Sequence, residues 1–174
     1  NGMQPELAIS YTHGTGNGLL GQGFQLAGLS VITLTGATLA EDGFYGQVNF
    51  RPDDRYLLDG ERLYAISGSY GAVGTEYRLQ HDNFTRITAH QYRNTNQLYF
   101  IAQTKSGLTI EYGGDEHSGL YTSTRSNRML WRINRVTDLH GNFKTFHYSN
   151  KESIGKTLPS TIEYGGNSLN THEP

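Results

Sequence analysis

The residues whose spacing could support chemistry fall into four groups. Gly16-Asn17-Gly18-Leu19-Leu20-Gly21 fits Gly-x-Gly-x-x-Gly, the turn that brings backbone amides close to a pyrophosphate. That fingerprint needs a strand before it, a helix starting on it and an acidic residue about 20 positions on. The strand pattern is present and Glu41 stands in the acidic position, but Gly23, Gly28 and the β-branched run Val31-Ile32-Thr33 oppose a helix. The pattern therefore reads as a glycine turn. Asp115-Glu116-His117 and His81-Asp82 are the tight acid–histidine groups, and neither has the His-Glu-x-x-His or comparable spacing of a metal site. Both read as solvated loops, and His147 as a half-buried strand residue. Ser69 in Ser67-Gly68-Ser69-Tyr70-Gly71 misses the first glycine of a nucleophile elbow, and no helix pattern follows it. Tyr121-Thr122-Ser123-Thr124-Arg125 has the look of a transferase Ser-Thr strand, but the chain contains no Glu-x-Glu pair to act with it. No catalytic, cofactor-binding or metal-ligating residue is assigned, and no cofactor.

Tyrosines supply the remaining chemistry. Tyr56, Tyr64, Tyr70, Tyr77, Tyr92, Tyr99, Tyr112 and Tyr121 could form a sugar-stacking platform on a sheet. They read first as the ordinary filling of strand faces, which favour aromatic and β-branched residues. Asn83-Phe84-Thr85 fits the glycosylation sequon and is taken as coincidence.

The elements that would position these groups are strands. Leu7, Ile9 and Tyr11 alternate with Ala8, Ser10 and Thr12, and Leu108, Ile110 and Tyr112 with Thr109 and Glu111. Each predicts a strand with one buried face. Leu98-Tyr99-Phe100-Ile101-Ala102 is apolar on both faces and predicts a central strand covered on both sides. Asp59-Gly60 separates two strand runs, the signature of a type I′ hairpin. Thr104-Lys105-Ser106-Gly107 makes a second hairpin. Asp138 to Asn142 makes a third, between the run from Trp131 and the run ending at Tyr148. Thr109-Ile110-Glu111-Tyr112-Gly113-Gly114 recurs as Thr161-Ile162-Glu163-Tyr164-Gly165-Gly166, each copy a strand ending in a bend that glycine tolerates. Residues 36–50, 67–75 and 113–128 read as loops, and no segment predicts a helix.

The bulk numbers agree with an all-β chain. The 174 residues include 22 Gly, 12 Tyr and 7 Phe, with only 17% charged side chains. The turns are frequent and the buriable surface is aromatic. With a net charge of −2 and no basic block, an electrostatic footprint for nucleic acid is missing. No apolar run reaches the length of a membrane-spanning helix. With no cysteine, disulfides and thiolate metal sites are excluded.

The opening carries a resemblance. Pro5 to Tyr11, Gly14 to Gly18, Gly21-Gln22-Gly23-Phe24 and Gly28-Leu29-Ser30-Val31-Ile32 resemble, in order, the N-terminal segment of SpvB-type and Rhs/YD-repeat proteins, which include the B components of Tc toxin complexes. Phe24 replaces the usual Trp, and Leu34 stands where Arg is common. The hairpin at Leu58-Asp59-Gly60, Glu76-Tyr77-Arg78 with Phe84 to Ile87, the hairpin at Lys105 to Gly113, and Arg132 to Tyr148 follow in the family's order.

The resemblance implies a segment that builds wall and carries no catalyst. In such families a long β-ribbon winds into a hollow shell around a toxic C-terminal domain, or precedes an ADP-ribosyltransferase domain. The expectation is one all-β domain over 1–174, a piece of a longer polypeptide: antiparallel hairpins in a meander forming a curved sheet or partial shell, with little or no helix. The expected role is a non-enzymatic structural module of a bacterial toxin-related protein, secreted or at the cell surface. Its expected partners are the rest of the parent chain and a toxin-complex subunit, and the isolated fragment is expected to self-associate. The alternative is a carbohydrate- or surface-binding β-module using exposed aromatics.

Overall fold

A computed structural model describes residues 3–4, 7–11, 13, 17–18, 21–22, 24–81, 84–122, 127–151 and 156–169. Four short strands come first: β1 (Ala8–Tyr11), β2 (Asn17–Gly18), β3 (Gly21–Gln22) and β4 (Phe24–Ala27). β1 pairs antiparallel with β4, and β2 with β3. The strand expected over 7–11 is present, but the face expected to be buried is not. Leu7, Ile9 and Tyr11 are all exposed. Alternation shows that a strand has an apolar side; it does not supply a neighbour to cover it. Among the described residues this ribbon pairs only with itself.

The rest of the chain is one large antiparallel sheet. Its strands are β5 (Val31–Thr35), β6 (Arg55–Leu58), β7 (Glu61–Ser67), β8 (Glu76–Leu79), β9 (Arg86–Gln91), β10 (Leu98–Gln103), β11 (Thr109–Tyr112), β12 (Gly119–Tyr121), β13 (Arg128–Thr137), β14 (Asn142–Lys151) and β15 (Lys156–Asn167). From β5 to β11 each strand pairs with the next. β13 then closes the circle. Its N-terminal half pairs with β5, Arg132 opposite Val31, and its C-terminal half pairs with β11, Thr137 opposite Thr109. The expected curved meander thus runs on to closure, as a barrel of β5 to β11 and β13. Closure satisfies the edge N–H and C=O groups of strands that would otherwise be open.

Turn chemistry sets the register. Asp59 and Gly60 have φ of 51° and 87°, the pair of positive values that a type I′ turn demands. At the expected third hairpin the Asp138 carboxylate accepts hydrogen bonds from Asn142 Nδ2 (2.8 Å), Asn142 N (2.9 Å) and His140 N (2.8 Å). The Asn142 side-chain bond is the main reason its pKa lies below the ordinary aspartate value. The repeated hexapeptide also has a physical basis. Gly113 and Gly165 both take positive φ, 73° and 92°. They differ in setting, because Gly113 ends β11 whereas Gly165 is the extra residue of a bulge inside β15. Correspondingly Tyr112 is buried and Tyr164 exposed.

The barrel interior is aromatic. Tyr56 stacks on Tyr70 with centroids 5.5 Å apart, and Tyr77, Phe100 and Trp131 meet Tyr56 edge-on at 5.1–5.9 Å. Ile32, Leu63, Ile87 and Ala89 fill the remaining space. An eight-stranded barrel is just wide enough to be filled by side chains in this way. Each such large side chain contributes about 1.5–3 kcal/mol of burial. β10 departs from expectation: Leu98, Phe100 and Ala102 are buried, while Tyr99 and Ile101 are half-buried on the outer wall. On that wall the His90 ring lies beside Tyr99, with centroids 5.3 Å apart.

Two loop expectations need correction: residues 36–50 contain one helical turn, α1 (Leu39–Asp42), and β12 lies inside 113–128. Residues 68–75 are a loop as expected, and its Tyr70 belongs to the interior stack. Beyond the barrel, β14 and β15 form a long hairpin. Phe146 and Tyr148 anchor it to the core, and Tyr148 Oη donates to Ile133 O at 2.7 Å. No described helix is long and apolar enough to cross a membrane.

Candidate functional site at the barrel mouth

In an up-and-down barrel the connections alternate between the two ends. Tight hairpins at 59–60, 104–107 and 138–141 fall at one end. The longer connections 36–54, 68–75 and 92–97 fall at the other. These longer segments frame a cavity of about 260 Å³. Its wall combines Leu34, Phe50, Tyr56 and Trp131 with Arg51, Asp54, Asn96 and Arg128.

The 36–54 loop is held by ions. Asp42 on α1 pairs with Arg55 Nε at 2.7 Å and with Arg62, whose other guanidinium nitrogen lies 3.3 Å from Glu41. Burial opposes the charge on Asp42. The Thr38 amide and the Arg62 and Arg55 guanidiniums outweigh that cost and bring its pKa down to about 2. Asp54, also buried, accepts from Phe50 N (2.6 Å) and Asn49 N (3.0 Å), which folds the loop back over the mouth.

Arg128 at the cavity floor is a buried cation with no carboxylate partner among the described residues. Its Nη1 donates to Gly113 O (2.5 Å) and, more weakly, to Leu98 O (3.4 Å); Nη2 donates to Asp115 O (3.1 Å). Nε and Nη2 both reach Tyr121 Oη, at 2.8 and 2.5 Å. The guanidinium lies 4.2 Å from the Tyr92 ring centroid and 5.0 Å from that of Tyr121. Five donors in a planar fork make this possible for arginine alone. The buried Tyr92 hydroxyl has no hydrogen-bond partner among the described residues.

The groups singled out in the sequence are not brought together. Asn17–Gly18 and Gly21–Gln22 pair as a minimal hairpin, and the next described element is a strand, β4; Gly16, Leu19, Leu20 and Gly23 lie outside the described residues. Asp115 closes its own turn, accepting from Ser118 N at 2.8 Å. His81 lies 3.3 Å from Glu61, with Asp82 outside the described residues. No cluster of three His, Asp or Glu suited to a metal ion occurs among the described residues. Ser69 is exposed, and its carbonyl accepts from Thr75 Oγ1. His147 is exposed rather than half-buried, 3.2 Å from Glu163, because it lies on the uncovered side of the outer hairpin. Tyr121 serves Arg128; Ser123, Thr124 and Arg125 lie outside the described residues, as does Asn83 of the sequon.

None of the eight tyrosines forms an exposed platform. Tyr56, Tyr77, Tyr92 and Tyr112 are buried, and Tyr64, Tyr70, Tyr99 and Tyr121 are half-buried. Burial pushes Tyr112 up to about 12, against the Ser30 hydrogen bond that lowers it, and raises Tyr56, Tyr70 and Tyr148 further. These phenols are therefore donors at neutral pH. Sequence reasoning missed the Asp42–Arg55–Arg62 clamp and Arg128. Spacing gives no signal for either, since both depend on loops that meet only after closure.

The closed antiparallel barrel with its long edge hairpin is a fold shared with solved toxin proteins. The N-terminal domain of effector protein SpvB from Salmonella typhimurium strain LT2 superposes with a TM-score of 0.77 at 19% identity. That alignment covers 95% of this chain and 60% of that one. TcdB2-TccC3 superposes with a TM-score of 0.78 at 17% identity over 99% of this chain and 10% of its own length. The Photorhabdus luminescens Tc holotoxin pore gives 0.73 at 16%, over 98% and 9%. No curated protein sequence matches. The model of the family described as SpvB, Salmonella virulence plasmid 65kDa B protein, matches residues 1–171, and the chain belongs to that family. It spans 60% or less of each of these solved chains.

Proposed function

We propose that this chain is a non-enzymatic structural module of a secreted bacterial toxin-related protein, and that it contributes strands to an encapsulating wall built with the rest of a longer polypeptide. The observation that carries the reading is the edge of β15. Twelve residues long, it pairs with β14 and with no other strand among the described residues, although the barrel beside it closes its own edges. Pro159 and the two bulges in its pairing with β14 are the features by which an edge strand resists indiscriminate pairing. Leu7, Ile9, Leu39 and Tyr45 add exposed apolar surface of the kind a neighbouring segment covers. The likeness to TcdB2-TccC3, in which a matching fold occupies a tenth of the chain, supports the same role.

Hydrogen exchange tests it. The parent reading frame, expressed whole, is compared with the 174-residue chain. Amides of 158–166 that exchange fast in the short chain should be protected in the parent. Equal exchange in both refutes the wall role.

A further inference from the structure

The cavity at the barrel mouth has the properties of a small-ligand site. Tyr56 is 8% exposed, so its phenol is nine-tenths buried. Its backbone N–H donates to Tyr70 Oη at 2.8 Å, but its own hydroxyl has no hydrogen-bond partner among the described residues. That hydroxyl faces the cavity beside Gly71, where a Cβ would stand 3.7 Å from it, and both residues line the space. The hydroxyl is open to the cavity, so a molecule there can accept a hydrogen bond from it without displacing a protein partner. Burial holds the phenol protonated, so it offers a donor.

The rest of the lining specifies the chemistry. The Arg51 guanidinium and the Asn96 amide also make no hydrogen bond among the described residues, and both edge the cavity. Among the described residues Arg128 in the floor has its donors engaged but no acidic partner, and Asp54 is the one carboxylate in the lining. Two guanidiniums against one carboxylate leave the described wall net positive. Leu34, Phe50 and Pro52 give an apolar side. The stacking faces are already occupied: Tyr70 has Tyr56 on one side and lies 4.7 Å from the Arg55 guanidinium. Recognition must then come from hydrogen bonds and charge rather than ring stacking. The volume, about 260 Å³, is just below the range for drug-sized molecules, which begins at about 300 Å³.

We propose that the barrel mouth binds the end of an acidic saccharide, a monosaccharide-sized ligand that carries a carboxylate toward Arg51 and a hydroxyl or ring oxygen that accepts from Tyr56. The site is independent of the wall role, since it faces the loops at one end and not the β15 edge.

The test is titration of the 174-residue chain with methyl glucuronide, methyl glucoside and acetate, followed by calorimetry and by NMR shifts. Methyl glucuronide should bind saturably with a millimolar dissociation constant, at least tenfold tighter than either control. Tyr56→Phe keeps the ring and removes the hydroxyl. It should weaken that binding about tenfold, equivalent to about 1.4 kcal/mol, at an unchanged melting temperature. Arg51→Ala, at an exposed position, should erase the preference for the glucuronide over the glucoside. Absence of saturation by any probe at about 50 mM overturns the site. Equal affinity for glucuronide and glucoside overturns its acidic specificity. A Tyr56→Phe variant that binds as the native chain does overturns the role of Tyr56.

Discussion

Replacing Arg128 by lysine should destabilise this protein more than replacing it by methionine. In the native barrel the guanidinium gives its protons to Gly113 O, Leu98 O, Asp115 O and Tyr121 Oη, between two tyrosine rings. Methionine removes all of these. Leu98 O keeps a donor in Trp131 Nε1 (2.6 Å), and Asp115 O keeps Ser118 Oγ (3.0 Å). Gly113 O loses its donor, at about 1–3 kcal/mol. The two cation–π contacts are worth roughly 1–2 kcal/mol together. Against this, a buried charge without a counter-ion no longer has to be held out of water, and that relief offsets part of the loss. The net for Arg128→Met is about 2 kcal/mol. Lysine keeps the charge, loses the planar fork and stacking, and leaves an ammonium with fewer partners in the same buried place. Its net loss is about 4 kcal/mol. In urea unfolding, with a slope of about 2 kcal/mol per molar, the midpoints should fall by about 1 M for methionine and about 2 M for lysine. A lysine variant at or above the methionine variant refutes the reading of Arg128 as a planar five-donor clamp.

Three further outcomes follow. Because folding depresses the Asp42 pKa from 3.8 to about 2, its stabilising contribution is complete above about pH 4 and is lost as pH falls toward 2; it amounts to about 2 kcal/mol. Urea midpoints between pH 6 and 2.5 should drop less steeply in Asp42→Asn than in the native chain, and parallel curves would refute this. Gly113→Ala puts a Cβ 2.4 Å from Trp131 Cδ1 at φ 73°, whereas at Gly165, with φ 92°, nothing lies within 4 Å. The first should cost about 3 kcal/mol or more and the second about 1 kcal/mol, read as melting temperatures. The isolated chain should associate with rising concentration in light scattering, through exposed Ile9, Tyr11 and Tyr45. Ile9→Lys with Tyr45→Ser should reduce that association, and a chain monomeric at about 1 mM would contradict it.

What the residues alone determined here is local. Period-2 alternation places β1 and β11, because successive side chains of a strand point to opposite faces whatever its neighbours. Asp59-Gly60 and Asp138 to Asn142 specify their turns because positive φ and carboxylate-to-amide bonds act over four or five residues. The opening strand and its glycines, with the hairpins in order behind them, were enough to indicate the family. Tertiary structure decided the rest. Closure rests on Arg132 meeting Val31 and Thr137 meeting Thr109, partners about 100 and 28 residues apart, and no local pattern encodes such pairings. Which apolar faces are covered followed from that closure: Tyr112 went inside, while Ile9, with the same alternation, stayed outside. The barrel mouth was invisible for the same reason, since Arg51 with Tyr56, Asn96 and Arg128 come from three separate segments that share one wall only once the ring has shut.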